Sequence, residues 1–400
     1  MYRSSTPERE PIYTLQFWLL CFSSFLFFSS FNMMIPELPD YLTALGGEDY
    51  KGLIISLFTL TAGLSRPFSG KLTDKVGRVP VMIFGVLVCC ICSLLYPVIS
   101  SVAGFLLLRF FHGFSTGFKP TGTSAYLADI VPANRRGEAM GIMGFFGSTG
   151  MGAGPMIGSY ITELMGMDAM FIASCLFALF SILILLGMKE TLPNPEKIQK
   201  NHFLIPPREV LEPTAMVPGI ILMFSVVSYG VILTIIPDLS KQVGIDNKGT
   251  FFLYLTLASL LIRIVAGKVS DRYGRVLILR ISTLVIAIAL VMICYAHTPA
   301  LLLSAAVILG IGVGMNSPTI TAWTVDRSPE RFRGRSLATM YIALEAGIGM
   351  GALGSGWLYH NDSSSITHPF WAAAICCFAA SIYLIFGVEK DIKTVESLNR

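Results

Sequence analysis

The chain holds 400 residues, 54% of them hydrophobic and only 14% charged, with a formal net charge of +4. Soluble domains carry about 25% charged residues, so this composition excludes an ordinary soluble fold and points to a membrane protein. So small a basic surplus gives no reason to expect a nucleic-acid partner, and where the charges sit carries more information than their sum.

A membrane-spanning helix needs about 20 mostly apolar residues. Twelve spans are predicted in chain order: 14–35, 51–72, 80–98, 102–128, 137–162, 168–188, 214–237, 249–269, 276–296, 300–325, 336–358 and 369–387. No small-residue cleavage pattern follows the first, which opens a long series, so it is expected to be a retained helix and not a signal peptide. Near its outer end lies Pro36-Glu37-Leu38-Pro39-Asp40, and span 7 ends in Pro237-Asp238-Leu239. Glu37 and Asp238 either line an outer vestibule and take up protons or cap helices at the water interface.

Charge inside the spans is the sharper signal, because a charged side chain at the bilayer centre costs at least about 2.5–3.5 kcal/mol on insertion scales. Arg109 lies within span 4, and Lys119 follows beside Pro120, placed either to meet an anionic group or to snorkel. Glu345 lies nine residues into span 11, which at 1.5 Å per residue is about 14 Å deep and close to the midplane. It is therefore a candidate proton carrier, with a structural ion pair as the bland alternative. The eight cysteines all fall within apolar runs, as small core residues and not as metal ligands or a disulfide framework. No metal or cofactor is expected.

Residues 189–213 form the one long polar connection, which divides the chain into an N-terminal bundle (1–188), a linker and a C-terminal bundle (214–400). Sixteen Lys and Arg lie at or beyond the ends of spans 2, 4, 6, 8 and 10, against Lys51, Lys241 and Lys248 on the other side. The positive-inside rule then places the linker and both termini in the cytoplasm.

One stretch recurs 197 residues later: Arg66-Pro-Phe-Ser-Gly70-Lys71-Leu-Thr-Asp74-Lys-Val-Gly77-Arg78 returns as Arg263-Ile-Val-Ala-Gly267-Lys268-Val-Ser-Asp271-Arg-Tyr-Gly274-Arg275. The same offset joins Gly113 to Gly310, Asp129 to Asp326, Gly150 to Gly347 and Gly154 to Gly351. A fixed offset over so long a stretch means two copies of one unit. An even number of crossings separates them, so they are parallel repeats about an axis along the membrane normal. Arg66 and Arg263 lie near the basic ends of spans 2 and 8, where snorkelling or a part in a latch is expected, but not substrate binding.

These residues resemble the major facilitator superfamily over essentially the whole chain. The family's Gly-x-x-x-Asp-x-x-Gly-Arg loop is matched twice, by Gly70, Asp74, Gly77 and Arg78 and by Gly267, Asp271, Gly274 and Arg275. Span 5 is similar to the glycine motif of its drug:proton antiporters through Gly141, Gly150, Gly154, Pro155 and Gly158, with Ser159 in place of the last glycine. Arg109 and Gly113 match the family's fourth-helix motif, with His112 where Gln is frequent.

The resemblance implies an all-α membrane protein of the major facilitator fold: 12 transmembrane helices in two parallel six-helix repeats around a central cavity. It further implies that the two loops latch the halves together in one conformation, and that Arg109 faces the cavity and serves proton coupling. Spans 1, 4, 7 and 10 would line that cavity, making Asn32, Lys119, Tyr126, Tyr229, Asn316 and Trp323 candidates for substrate contact. The expected function is proton-coupled export of small amphipathic molecules by antiport, working as a monomer in the cell membrane, with Glu345, Arg109, Glu37 and Asp238 as coupling candidates. The expected partners are a small-molecule substrate, protons and the lipid bilayer. Proton-coupled uptake of a nutrient is the main alternative. An embedded enzyme is disfavoured because the five histidines are scattered over different spans and sides. Coupling and specificity are expected where the copies disagree: Glu345 against Ser148, Arg109 against Ala306 and Pro155 against Ala352.

Overall fold

The computed structural model describes residues 13–132, 135–206, 210–329 and 333–386. The first twelve and last fourteen residues, and with them the expectation about the termini, lie outside the described residues. The N-terminal half comprises α1 (Leu15–Met34), the short α2 (Leu38–Ala44), α3 (Lys51–Lys75), α4 (Arg78–Leu95), α5 (Val102–His112), α6 (Phe114–Ile130), α7 (Arg136–Met165) and α8 (Met167–Leu186). The C-terminal half comprises α9 (Met216–Gln242), α10 (Thr250–Tyr273), α11 (Arg275–Cys294), α12 (Pro299–Arg327), α13 (Arg333–Tyr359) and α14 (His368–Phe386). Every predicted span is helical, and the fourth is divided into α5 and α6 at Gly113. Among the described residues, eight stretches cross a membrane on length and hydropathy alone, and α10 adds a ninth, bent by 48° just past Arg263. The other predicted spans are α3, the α5–α6 pair and α7. Of these, α3 and α7 are diluted by Gly, Ser and Thr because they turn a polar face to the opposite half, α3 packing on α13 and α7 on α10.

The recurring glycines within spans 4, 5, 10 and 11 mark places where backbones touch. A Cβ on Gly113 would lie 2.1 Å from the Phe58 carbonyl oxygen, and one on Gly310 would lie 2.2 Å from that of Leu255. Phe58 and Leu255 are themselves 197 residues apart. Gly154 approaches the Ser29 carbonyl in the same way (2.8 Å), as Gly351 does that of Val227 (2.1 Å). Without a strong hydrophobic force between helices in lipid, such close approach is what drives their packing.

Contacts between the halves are unevenly distributed along the membrane normal. At the end away from the basic loops, a Cβ on Gly52 would lie 2.6 Å from the Ala352 carbonyl, and one on Gly249 would lie 2.3 Å from the Met156 nitrogen. Contact continues inward through Gly152 on Thr256 and Gly349 on Thr59. Nearer the basic end of the same helices, a Cβ on Gly70, Gly141, Gly144 or Gly267 would meet nothing within 4 Å. The halves thus converge at the far end and part toward the basic end.

The linker is fastened to both halves. Glu196 pairs with Lys75 at 2.9 Å and Lys71 donates to the Leu204 carbonyl at 2.8 Å. The Lys75 bond, with His202 adding to it, lowers the pKa of Glu196. At the other end Glu212 pairs with Arg335 and its backbone N–H donates to Thr339 Oγ1 at 2.8 Å.

Gly113→Ala and Gly310→Ala are expected to push helices apart at a cost of about 1–3 kcal/mol, lowering the thermal unfolding midpoint in detergent by several degrees. Gly141→Ala, with open space around it, should leave the midpoint unchanged.

Candidate functional site

Charged side chains gather where the halves face each other. At mid-depth Arg66 on α3 donates through Nη2 to Glu345 Oε1 on α13 at 2.7 Å, with side-chain exposures of 11% and 9%. Its guanidinium also lies 4.8 Å from the centre of the Tyr341 ring. The duplication builds the same crossing on the other side, where Arg263 on α10 donates to Ser148 Oγ on α7 at 3.0 Å. Ser148 and Glu345 are repeat partners, as are Arg66 and Arg263. One crossing is therefore an ion pair and the other is not.

A second tier sits at the far end. Lys51 donates to Asp238 Oδ2 at 2.7 Å, and Lys248 to Asp40 Oδ2 at 2.7 Å and Glu37 Oε2 at 2.8 Å. Lys51 and Lys248 are again 197 residues apart, and Pro39-Asp40 resembles Pro237-Asp238 at an offset one residue longer. Lys241 also approaches Asp40 at 3.5 Å, so the N-terminal half offers one lysine and accepts two, and Glu37 is an extra acid that also receives the Ser159 hydroxyl at 2.7 Å. Neither expectation for Glu37 and Asp238 describes this arrangement. Glu37 makes no side-chain capping bond to α2, and both acids are engaged across the interface. Burial alone would lower the pKa of Lys248, but Glu37 and Asp40 outweigh it and raise that pKa, so the lysine stays charged throughout the physiological range. A cleft of about 220 Å³ lined by Glu48, Lys51, Tyr359 and Asn361 leads to the Lys51–Asp238 pair.

The two glycine-rich loops make their ion pairs within their own halves. Arg78 donates to Asp129 Oδ2 at 3.0 Å and approaches Asp74 at 3.5 Å, and Arg275 pairs with Asp326 at 3.0 Å and with Asp271. Gly77 (φ +137°) and Gly274 (φ +91°) adopt backbone angles that suit only glycine. The positive end of α4 is held by Glu190, which accepts from the Arg78 and Val79 N–H groups at 3.0 and 2.9 Å. In this structure the latch loops are closed on themselves, consistent with the parting of the halves at that end.

Several expected cavity residues lie elsewhere. Arg109 is sealed inside the N-terminal half, donating to the Ile54 carbonyl at 2.9 Å and the Tyr96 hydroxyl at 3.2 Å, and lies over the Phe58 ring. Tyr96 in turn meets His112, whose other nitrogen meets Cys89, so that polar and thiol groups of α1, α4, α5 and α8 form a continuous seam. Lys119 is fully buried in the same half, bonded to Ser24 Oγ at 2.7 Å and lying over Phe27. It meets no carboxylate among the described residues and does not snorkel. Tyr126 is buried, Asn316 donates to Ser282 within its own half, and Asn32 donates to the Phe28 carbonyl of its own helix. Trp323 packs with Ile221, Leu279 and Met340. Tyr229 alone of this set stands beside a crossing group, the Arg263 guanidinium. Sequence reasoning missed Arg66 as the partner of Glu345, and it read Lys51 and Lys248 only as markers of orientation.

Removing one partner of a buried pair costs about 3–5 kcal/mol in the state that contains it, and less where water reaches the pair. Lys51→Ala combined with Lys248→Ala should therefore shift the protein away from the far-end-closed state. Spin labels on Asp49→Cys and Asp246→Cys read this directly. Longer distances are expected in the double variant, and an unchanged distribution would show that the lysines do not hold the end shut.

A family model described as Major Facilitator Superfamily matches residues 20–262 and 218–400. The multi-drug resistance efflux pump PmrA of Streptococcus pneumoniae is 26% identical over 393 residues, covering 94% of this chain and 96% of its own. The multidrug resistance protein MdtG of Salmonella arizonae is 28% identical over 388 residues, covering 93% and 92%. The crystal structure of a D-xylose-proton symporter superposes with a TM-score of 0.76 at 15% identity over 92% of this chain and 96% of that one, a likeness of fold. With twin Gly-Asp-Arg loops, backbone contacts at the repeated glycines and reciprocal crossings between two six-helix halves, the chain belongs to the Major Facilitator Superfamily.

Proposed function

We propose that the protein is a proton-coupled exporter of small amphipathic molecules that works by alternating access. It would sit in the cell membrane as a monomer, with the basic loops and linker in the cytoplasm. The observation that carries this is the Arg66–Glu345 pair, a carboxylate buried at mid-depth whose ionic partner belongs to the opposite half. Protonation of Glu345 would neutralise the attraction that joins α3 to α13, and deprotonation would restore it, so one proton is exchanged for one change in how the halves meet. The far-end lysine pairs hold the present state, which is open toward the cytoplasm. The span 5 glycine motif, packed on the α1 backbone through Gly150, Gly154 and Gly158, supports antiport, as do the names of the efflux relatives.

The Ser23–Ser181 and Ser30–Ser174 bonds tie α1 to α8 within the N-terminal half, so that half is suited to move as one body. Arg109 and Lys119, enclosed in it, would act as stiffening groups and not as sites of substrate contact.

Glu345→Gln keeps the shape of the side chain and removes the titratable group. In liposomes with an imposed pH gradient, it is expected to abolish pH-driven substrate movement while leaving downhill exchange intact. Undiminished coupling in that variant would remove Glu345 from the mechanism, and substrate movement in the same direction as protons would replace antiport with symport.

A further inference from the structure

Arg263 differs from its repeat partner in what lies opposite it. Arg66 has a carboxylate (Glu345) at 2.7 Å and an aromatic platform (Tyr341) at 4.8 Å. The residues 197 positions before those two are Ser148 and Gly144. Arg263 accordingly makes a 3.0 Å bond to a neutral hydroxyl where Arg66 meets a carboxylate, while the Nε–H of both arginines is withdrawn from solvent with no hydrogen-bond partner. Beside it, a Cβ on Gly144 would meet nothing within 4 Å. This copy lacks both the counter-charge and a ring at the place of Tyr341, although Tyr229 stands beside the guanidinium, and the space at Gly144 is open. Among the described residues no carboxylate pairs with Arg263.

A half-buried guanidinium within a membrane span and without a counter-charge is costly, and its planar fork suits a carboxylate held by two hydrogen bonds. We propose that Arg263 is the anion subsite of the transport pathway and that the substrate is an amphipathic monocarboxylate. Its carboxylate takes the place that Glu345 fills opposite Arg66. Its apolar body occupies the space beside Gly144, where Tyr341 stands in the other copy. Arg263 lies ten residues from the nearer end of α10, about 15 Å along the helix, beyond the reach of lipid phosphates. The bend of α10 just past Arg263 puts the subsite at the point where that helix changes direction. This assignment departs from the expectation that Arg263 has no part in substrate binding, and it rests on the transporter function proposed above.

Equilibrium dialysis of the purified full chain with radiolabelled 2-naphthoate tests it, with neutral 2-naphthamide as control. The wild-type protein should bind the naphthoate and should bind the amide roughly tenfold or more weakly. Ser148→Glu supplies the missing carboxylate from within and should reduce naphthoate binding by a similar factor. Ser148→Gln, of equal size and no charge, should retain it, and Arg263→Gln should lose it. Each variant is checked for a single monodisperse species and an unchanged melting point, so loss in Ser148→Glu with retention in Ser148→Gln is not a folding effect. Equal binding of naphthoate and amide, absence of naphthoate binding, or indifference to Ser148→Glu overturns the assignment. Dialysis needs no pH gradient, so failure here leaves antiport standing, whereas failure of pH-driven transport with naphthoate binding intact sinks antiport and not the subsite.

Discussion

A charge carried into the bilayer must be neutralised or hydrogen-bonded before it is buried, and in this protein that task is shared between two bodies. Arg66 and Lys51 belong to one half, and Glu345 and Asp238 to the other. Separated in place, each would be left in low dielectric without its partner, which favours the arrangement in which the halves meet. The same dependence makes closure reversible. An ion pair can be undone by a proton, by water entering the cleft or by a competing ligand, whereas an apolar seam of equal area responds to none of these.

Much of the architecture was legible in the chain because it depends on patterns local to each span. Apolar runs give the helices, and a constant offset gives the duplication. Several of the repeated glycines proved to be backbone contacts, at matching carbonyls for Gly113 on Phe58 and Gly310 on Leu255. What could not be read was which polar faces would meet. Arg109 and Lys119 are charged residues on a helix expected to line a cavity, and charge alone gave no sign that Tyr96, Ser24 and a backbone carbonyl would satisfy them inside one half. The far-end pairing was partly visible. Lys51 and Lys248 stand at the same offset as the loops, and Asp40 and Asp238 each follow a proline, yet only the folded chain shows that each lysine reaches the other half.

Duplication explains why comparing the copies is informative. Two crossings inherited from one ancestor geometry differ in what they present: Glu345 and Tyr341 on one side, Ser148 and Gly144 on the other. A filled copy is a template for what would fill the empty one. The same logic isolates Glu37 as an added acid in the far-end lock.

The fastening of the linker sets a limit on the whole cycle. Lys71 grips the Leu204 carbonyl on one half, and Glu212 is held by Arg335 and Thr339 on the other. Eight residues of chain join those two anchors, and fully extended they reach about 25–30 Å. While both anchors hold, the basic end cannot gape wider than that contour length. The linker is thus a tether as well as a connection, its reach set by where Lys71, Thr339 and Arg335 fasten it.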